Sequence, residues 1–411
     1  MSAPLWALAC AALAGFGGSA SAEASSTRVL VKVDTEAPAA DRHGVGTALG
    51  ATGHTALGAG WHAYDIPGDL RAADARVALS ASHADLAIEL DQTVLVPSAI
   101  SNDALAAEQW ALDAVRADEA WTVPVAAPVT VAVIDTGVDL AHPDLANALW
   151  ANPGEQPDNG IDDDRNGYID DVHGWDFAHN DATLFDGPAQ DAHGTQVAGI
   201  IAASRGDGFG MAGAASNTRI MALKFVDGGG GLASSAIQAL RYAQDHGARV
   251  VNASFGGPHS QALCDAVAAA AAAGVTVVGA AGNESVNLDA GAQVPATCPA
   301  AGVISVGAST RTDDLASFSN KGATSVDLVA PGEAVLTTVP GGGHEAISGT
   351  SVAAPLVSAA AALVIGRNPE INPARVRATL LQSAETVPAL AGLTTSGGRL
   401  DIARAMGLAP P

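Results

Sequence analysis

Val131-Ala-Val-Ile-Asp135-Thr-Gly-Val138 is a run of four apolar residues that ends in a carboxylate and a Thr-Gly turn. An unbroken apolar run of this length suits a strand buried on both faces, as in a parallel sheet. An acid at the carboxyl end of such a strand stands where open α/β sheets bind their ligands. Two more segments follow in order, His193-Gly-Thr-Gln-Val-Ala-Gly199 and Ser348-Gly-Thr-Ser351-Val-Ala-Ala-Pro355. Each sets one member of an Asp–His–Ser group where an apolar run meets a turn containing Gly or Thr. A serine hydroxyl is a poor nucleophile until an imidazole takes its proton and a carboxylate holds that imidazole in the right tautomer. Taken singly, the three residues would be a turn cap, a surface histidine and a helix-start serine. Together they predict that Asp135 orients His193 and that His193 activates Ser351.

Outward from these segments, near-continuous apolar stretches at residues 129–134, 219–225, 249–254, 275–280 and 302–307 read as strands. They alternate with helical patterns that begin at His193 and cover 233–246 and 261–273. That alternation predicts an α/β fold, a doubly wound and mostly parallel sheet flanked by helices. Asp135, Ser254 and Asn283 fall at or beyond the carboxyl ends of three of the strands.

The motifs resemble those of the subtilisin-like serine proteases, or subtilases, and within them the thermitase-like branch, over roughly residues 102–408. The order Asp, His, Ser is the one used by that family. The resemblance implies a serine endopeptidase that works through an acyl-enzyme, with protein or peptide substrates. It implies that Asn283, in Gly279-Ala-Ala-Gly-Asn283, is the side-chain donor to the oxyanion. Ser254, Phe255 and Gly256 would form one side of the main pocket and Gly228 and Gly229 the other, with a floor near residues 293–297. The expected preference is for medium apolar or aromatic side chains. Gln196 and Val352 stand where the family usually has His and Met, and neither change removes a reacting group. An α/β-hydrolase would need its His after Ser351, and no His follows His344.

The chain opens on an apolar segment, Leu5-Trp-Ala-Leu-Ala-Cys-Ala-Ala-Leu-Ala, followed by Ala20-Ser-Ala22. This has the form of a signal peptide over residues 1–22, although its first residues lack a basic side chain. Export is the expectation, with the cell exterior as the destination. Residues 23–100 carry alternating strand patterns at 28–33, 60–66 and 84–90 and a helical pattern at 70–80. A small α+β domain in a β-α-β-α-β order is expected, and the family resemblance makes it a pro-domain that assists folding and inhibits the enzyme. An unrelated N-terminal module is the alternative. The protease domain would then occupy residues 101–411 as a monomer.

The net charge of −24 excludes nucleic acid as a partner, since little here could neutralise phosphates. The apolar stretches at 266–281 and 352–365 are short and interrupted by Gly274 or Pro355, so no stable membrane insertion is expected. Once Cys10 leaves with the signal, Cys264 and Cys298 are most simply a disulfide in an exported protein, with two buried thiols as the alternative.

Between Asp135 and His193 lies Asn159-Gly-Ile-Asp-Asp-Asp164-Arg-Asn-Gly-Tyr-Ile-Asp-Asp171. Carboxylates at alternate positions, a Gly for a sharp turn and a following carbonyl suit a hard cation. Asp162, Asp164, Asn166, the Tyr168 carbonyl and Asp170 or Asp171 are the predicted ligands of a structural calcium ion. The family resemblance adds a second site at Asp103 and Asp144, with Asp207 a further candidate.

Overall fold

The structure, a computed structural model, describes residues 28–33, 39–66, 79, 86–90 and 101–409. The expected signal peptide, most of the 70–80 helical pattern and residues 91–100 at the end of the expected pro-domain lie outside the described residues. The chain divides into two compact units, Met1–Pro97 and Ser98–Pro411.

In the first unit, β1 (Arg28–Lys32), β2 (Gly53–Gly58), β3 (Trp61–Asp65) and β4 (Ala87–Leu90) form a four-stranded sheet in the order β2-β3-β1-β4. All three pairings are antiparallel. A helix, Ala39–Ala48, fills the Gly/Ala stretch after β1. The β2–β3 hairpin is absent from the sequence reading, which has one strand there. Its first strand is largely exposed at the sheet edge, so it buries no apolar face and carries no alternation to read.

The second unit is built on nine strands. They are β5 (Thr130–Asp135), β6 (Gly174–Asp176), β7 (Arg219–Lys224), β10 (Val250–Ala253), β11 (Thr276–Ala280), β12 (Val303–Ser309), β13 (Leu328–Pro331), β16 (Glu385–Thr386) and β17 (Gly398–Arg399). Two hairpins stand beside this sheet, β8–β9 (Val226–Asp227 with Gly230–Gly231) and β14–β15 (Val335–Val339 with Gly343–Ile347). The nine strands run in the order β16-β17-β13-β12-β11-β10-β5-β7-β6. Every neighbouring pair is parallel except β16 with β17.

Side chains that alternate along one strand reach opposite faces. Val131 and Val133 of β5 join the core under the helices Pro188–Ala202 and Thr350–Arg367. Ala132 and Ile134 join the core under Ala233–Asp245 and Gln261–Ala272. The sheet is thus covered on both faces, which explains its unbroken apolar strands. Thr350–Arg367 has the length and apolarity to cross a bilayer, but 89% of it is buried inside the protein.

The strand order reverses at β5. The chain leaves it for β6 and β7 on one side and returns to β10 on the other. Such a reversal opens a crevice beyond the carboxyl ends of the two central strands. Asp135 ends β5, and Ser254 follows β10 directly.

Candidate active site

Asp135 is 3% exposed at the end of β5. Its Oδ1 accepts a hydrogen bond from the Thr136 backbone N–H at 2.7 Å and lies 2.7 Å from His193 Nδ1. The Asp135 charge raises the His193 pKa above its usual value, burial opposes the rise, and the hydrogen bond between them reinforces it. The helix carrying His193 starts earlier than the sequence suggests, at Pro188, and breaks at Asp191 (φ −113°, ψ 19°). His193 therefore belongs to the first turn after a kink. The Gly194 N–H donates to Thr136 Oγ1 at 3.0 Å, which stitches the two motifs together.

Behind this pair, Lys224 is fully buried at the end of β7, one strand over from Asp135 in register. Its Nζ lies 2.5 Å from both Asp186 Oδ2 and Asp191 Oδ1. Burial pulls its pKa down, yet the bonds to the two carboxylates outweigh that, and the net direction is up. Asp186 also belongs with Asp176 and His179 to a group whose ligand-type atoms lie within 4.8 Å of one another. There Lys224 and His179 already pair with the carboxylates.

Ser351 opens the helix Thr350–Arg367, where backbone N–H groups lack intrahelical partners. The Asn283 Oδ1 accepts from Thr350 N–H at 2.8 Å and from the Thr350 hydroxyl at 3.0 Å. With its oxygen so held, the amide turns its Nδ2 toward the start of the helix. A Cβ built on Gly349 would lie 2.9 Å from Ser351 Oγ, 3.5 Å from Asn283 Nδ2 and 3.6 Å from the Ser351 N. The hydroxyl, the side-chain amide and the backbone N–H therefore converge on one small space that only glycine leaves open. Ser351 Oγ and His193 Nε2 share no hydrogen bond, and His193 is bonded through Nδ1 to Asp135. Ser351 is tied to the crevice through its carbonyl, which accepts from Ser254 Oγ at 2.8 Å. A nucleophile–base bond such as that between Ser351 Oγ and His193 Nε2 often tightens only when substrate binds.

A cavity of about 550 Å³ lies in the crevice, and its lining includes Asp135, His193, Ser254, Phe255, Gly256 and Gly229. Gly228, also expected there, is not among the lining residues. Phe225, from the 224–231 segment that the family resemblance sets on one side of the pocket, is also a lining residue, and its ring packs 4.6 Å from that of Phe255. Val294, from the 293–297 segment expected near the floor, is among the lining residues.

The acidic insertion is only partly arranged as its spacing suggests. Oxygens of Glu155, Asp164 and Asp171 lie within 4.8 Å of one another. Asn166 Nδ2 donates to both aspartates, and Tyr242 Oη donates to Asp171. Burial raises the Tyr242 pKa, and the bond to Asp171 raises it further, so this hydroxyl stays protonated and donating. Asp162 turns to the backbone N–H groups of Asn166 and Gly167, and Asp170 to those of Asn159 and Gly160. The Tyr168 N–H donates to Asn166 Oδ1, while its ring packs 5.0 Å from Trp175. Glu155 lies outside the alternating run and carried no signal of its own. Its Oε1 accepts from Asp163 and Asp164 N–H, while Oε2 is buried without a partner. A carboxylate with one buried, unpaired oxygen, grouped with two more carboxylates, fits a cation.

At the second expected site, Asp103 accepts from the N–H groups of Gly206, Asp207 and Gly208. Asp144 Oδ2 accepts from Met211 N–H and lies 2.6 Å from His344 Nε2, whereas its Oδ1 is buried without a partner. Asp207 Oδ1 accepts from Phe209 N–H. Cys264 and Cys298 form a disulfide.

A nine-stranded, doubly wound sheet with an Asp–His pair at its switch point, and a helix-start serine tied to that crevice through Ser254, defines a serine hydrolase whose triad runs in the order Asp, His, Ser. The chain belongs to the subtilase family, whose profile matches residues 127–407. It is 38% identical over 273 residues to the thermophilic serine proteinase of Bacillus sp. (strain AK1), covering 66% of this chain and 60% of that protein's length. It is 32% identical over 283 residues to thermitase of Thermoactinomyces vulgaris, covering 68% of this chain and 89% of thermitase. Among solved structures, a protease of Pseudoalteromonas arctica PAMC 21717 superposes with a TM-score of 0.63 at 26% identity, over 75% of this chain and 99% of that one. A cold-adapted subtilisin-like serine proteinase gives a TM-score of 0.54 at 30% identity, over 69% and 90%.

Proposed function

We propose that this chain is an exported serine endopeptidase, made as a self-processing zymogen and stabilised by calcium. The observation that carries the reading is the 2.7 Å bond between Asp135 and His193, at the crevice to which Ser254 also tethers Ser351. Ser351 Oγ attacks the substrate carbonyl carbon while its proton passes to His193 Nε2. Asp135 stabilises the resulting imidazolium. The oxyanion takes hydrogen bonds from Asn283 Nδ2 and the Ser351 N–H. His193 returns the proton to the leaving amine as the C–N bond breaks, and water repeats the cycle on the ester. Phe225 and Phe255 supply an apolar wall for substrate side chains.

Residues 1–22 serve as the export signal and residues 23–100 as the inhibitory pro-domain of the protease at 101–411. Glu155, Asp164 and Asp171 are the proposed calcium ligands, and the ion would offset their mutual repulsion. A fluorophosphonate probe tests the reading. The wild-type protein should be labelled and should release its N-terminal segment, whereas Ser351→Ala should do neither. An unlabelled wild type would overturn it.

A further inference from the structure

Three polar side chains cross the core of the second unit, otherwise built largely of Ala, Val, Ile and Leu. Ser358 and Asn252 are fully buried, and Ser254 is 6% exposed. Ser358 Oγ donates to Asn252 Oδ1, Asn252 Nδ2 donates to Ser254 Oγ, and Ser254 Oγ donates to the Ser351 carbonyl, each at 2.8 Å. All three bonds point the same way, so each donor is polarised by the one behind it. The chain starts and ends on one helix, because Ser358 lies two turns after Ser351 on the same face.

The carbonyl at the end of this relay has a particular need. In an α-helix the Ser351 C=O would accept from the N–H of the residue four positions on. That residue is Pro355, inside the same helix, and proline has no N–H. Ser254 supplies the missing donor from outside the helix. Ser254 follows β10 and lines the cavity, so the same bond joins the nucleophile's peptide group to the wall of the crevice.

We infer that Ser358 and Asn252 are positioning residues that, through Ser254, hold the Ser351 backbone at the carbonyl Pro355 leaves unpaired. The inference rests on the protease reading above. Substrate touches neither residue; they act by keeping Ser254 oriented as a donor. Loss of the Ser358 hydroxyl leaves Asn252 Oδ1 unpaired, frees the amide to turn, and releases Ser254 from its single orientation.

The test is a double-mutant cycle on the purified protein, read by kcat, KM, the fluorophosphonate labelling rate and the thermal midpoint. Ser358→Ala should lower kcat and the labelling rate about fivefold, the worth of one net hydrogen bond, with little change in KM. Pro355→Ala returns an N–H to the helix and gives the Ser351 carbonyl a local donor. In that background Ser358→Ala should have little further effect on labelling. Equal effects in both backgrounds would overturn the relay, as would a lowered thermal midpoint with unchanged kcat. An unlabelled wild type would instead overturn the protease reading itself.

Discussion

Lys224 Nζ sits 2.5 Å from Asp191 Oδ1, and both side chains are wholly withdrawn from solvent. A buried ammonium is tolerable only when its charge is met, and Asp186 and Asp191 together meet it. The pair also clamps the start of the kinked His193 helix to the end of β7.

Lys224→Met should therefore strand the Asp191 carboxylate. The expected loss is about 3–5 kcal/mol, typical for removing one partner of a buried pair. Urea or thermal unfolding measures it, and a loss below about 1 kcal/mol, the range of exposed pairs, would mean that the pair is effectively solvated.

Gly194→Ala should cost activity more than stability. A Cβ at that position would lie 2.1 Å from the Gly137 carbonyl oxygen, so the helix must retreat from the Asp135 turn. A shift of about 1 Å at a reacting group is worth on the order of a hundredfold in rate. Comparing kcat/KM with the thermal midpoint separates the two effects.

The raised pKa of His193 sets the acid side of the pH profile. Proton transfer from Ser351 needs the neutral ring, so kcat/KM should rise with pH through an apparent pKa above 6.5. The stability linkage runs the opposite way. The ion pair's contribution is complete below the unfolded-state value and fades as pH climbs through the folded-state value. Asp135→Asn should move the acid limb downward and lower activity, and a wild-type limb at or below the usual histidine value would contradict the assignment.

Calcium removal should lower the thermal midpoint, and Glu155→Gln should weaken that sensitivity. An ion present at a hundredfold excess over Kd adds about 2.7 kcal/mol to the folded state. Calorimetry with and without chelator gives the answer. A chelator response that is full in Glu155→Gln would place the ion elsewhere.

Much of this was legible before any coordinates. Asp135 is marked by the apolar strand before it, and the sheet that places it follows from the same pattern. What stayed hidden has physical causes. Glu155 lies before the alternating acidic run, so only the folded loop shows that it meets Asp164 and Asp171. Asp162 and Asp170 fit the spacing yet serve the turn's own N–H groups, a local competition that spacing cannot express. Strands β16 and β17 are two residues each, too short to carry a period. Ser358 looks like a small residue in an alanine-rich helix, and its role depends on a partner 106 positions away.

The detour between β5 and the His193 helix adds a further property. It leaves Asp135 and returns to His193, 58 positions apart, while its acidic knot meets Tyr242 in the core on the face away from the His193 helix. On the calcium reading proposed above, heat tolerance would answer to the acidic knot of Glu155, Asp164 and Asp171, while the reacting Asp135–His193 pair makes its own separate bond.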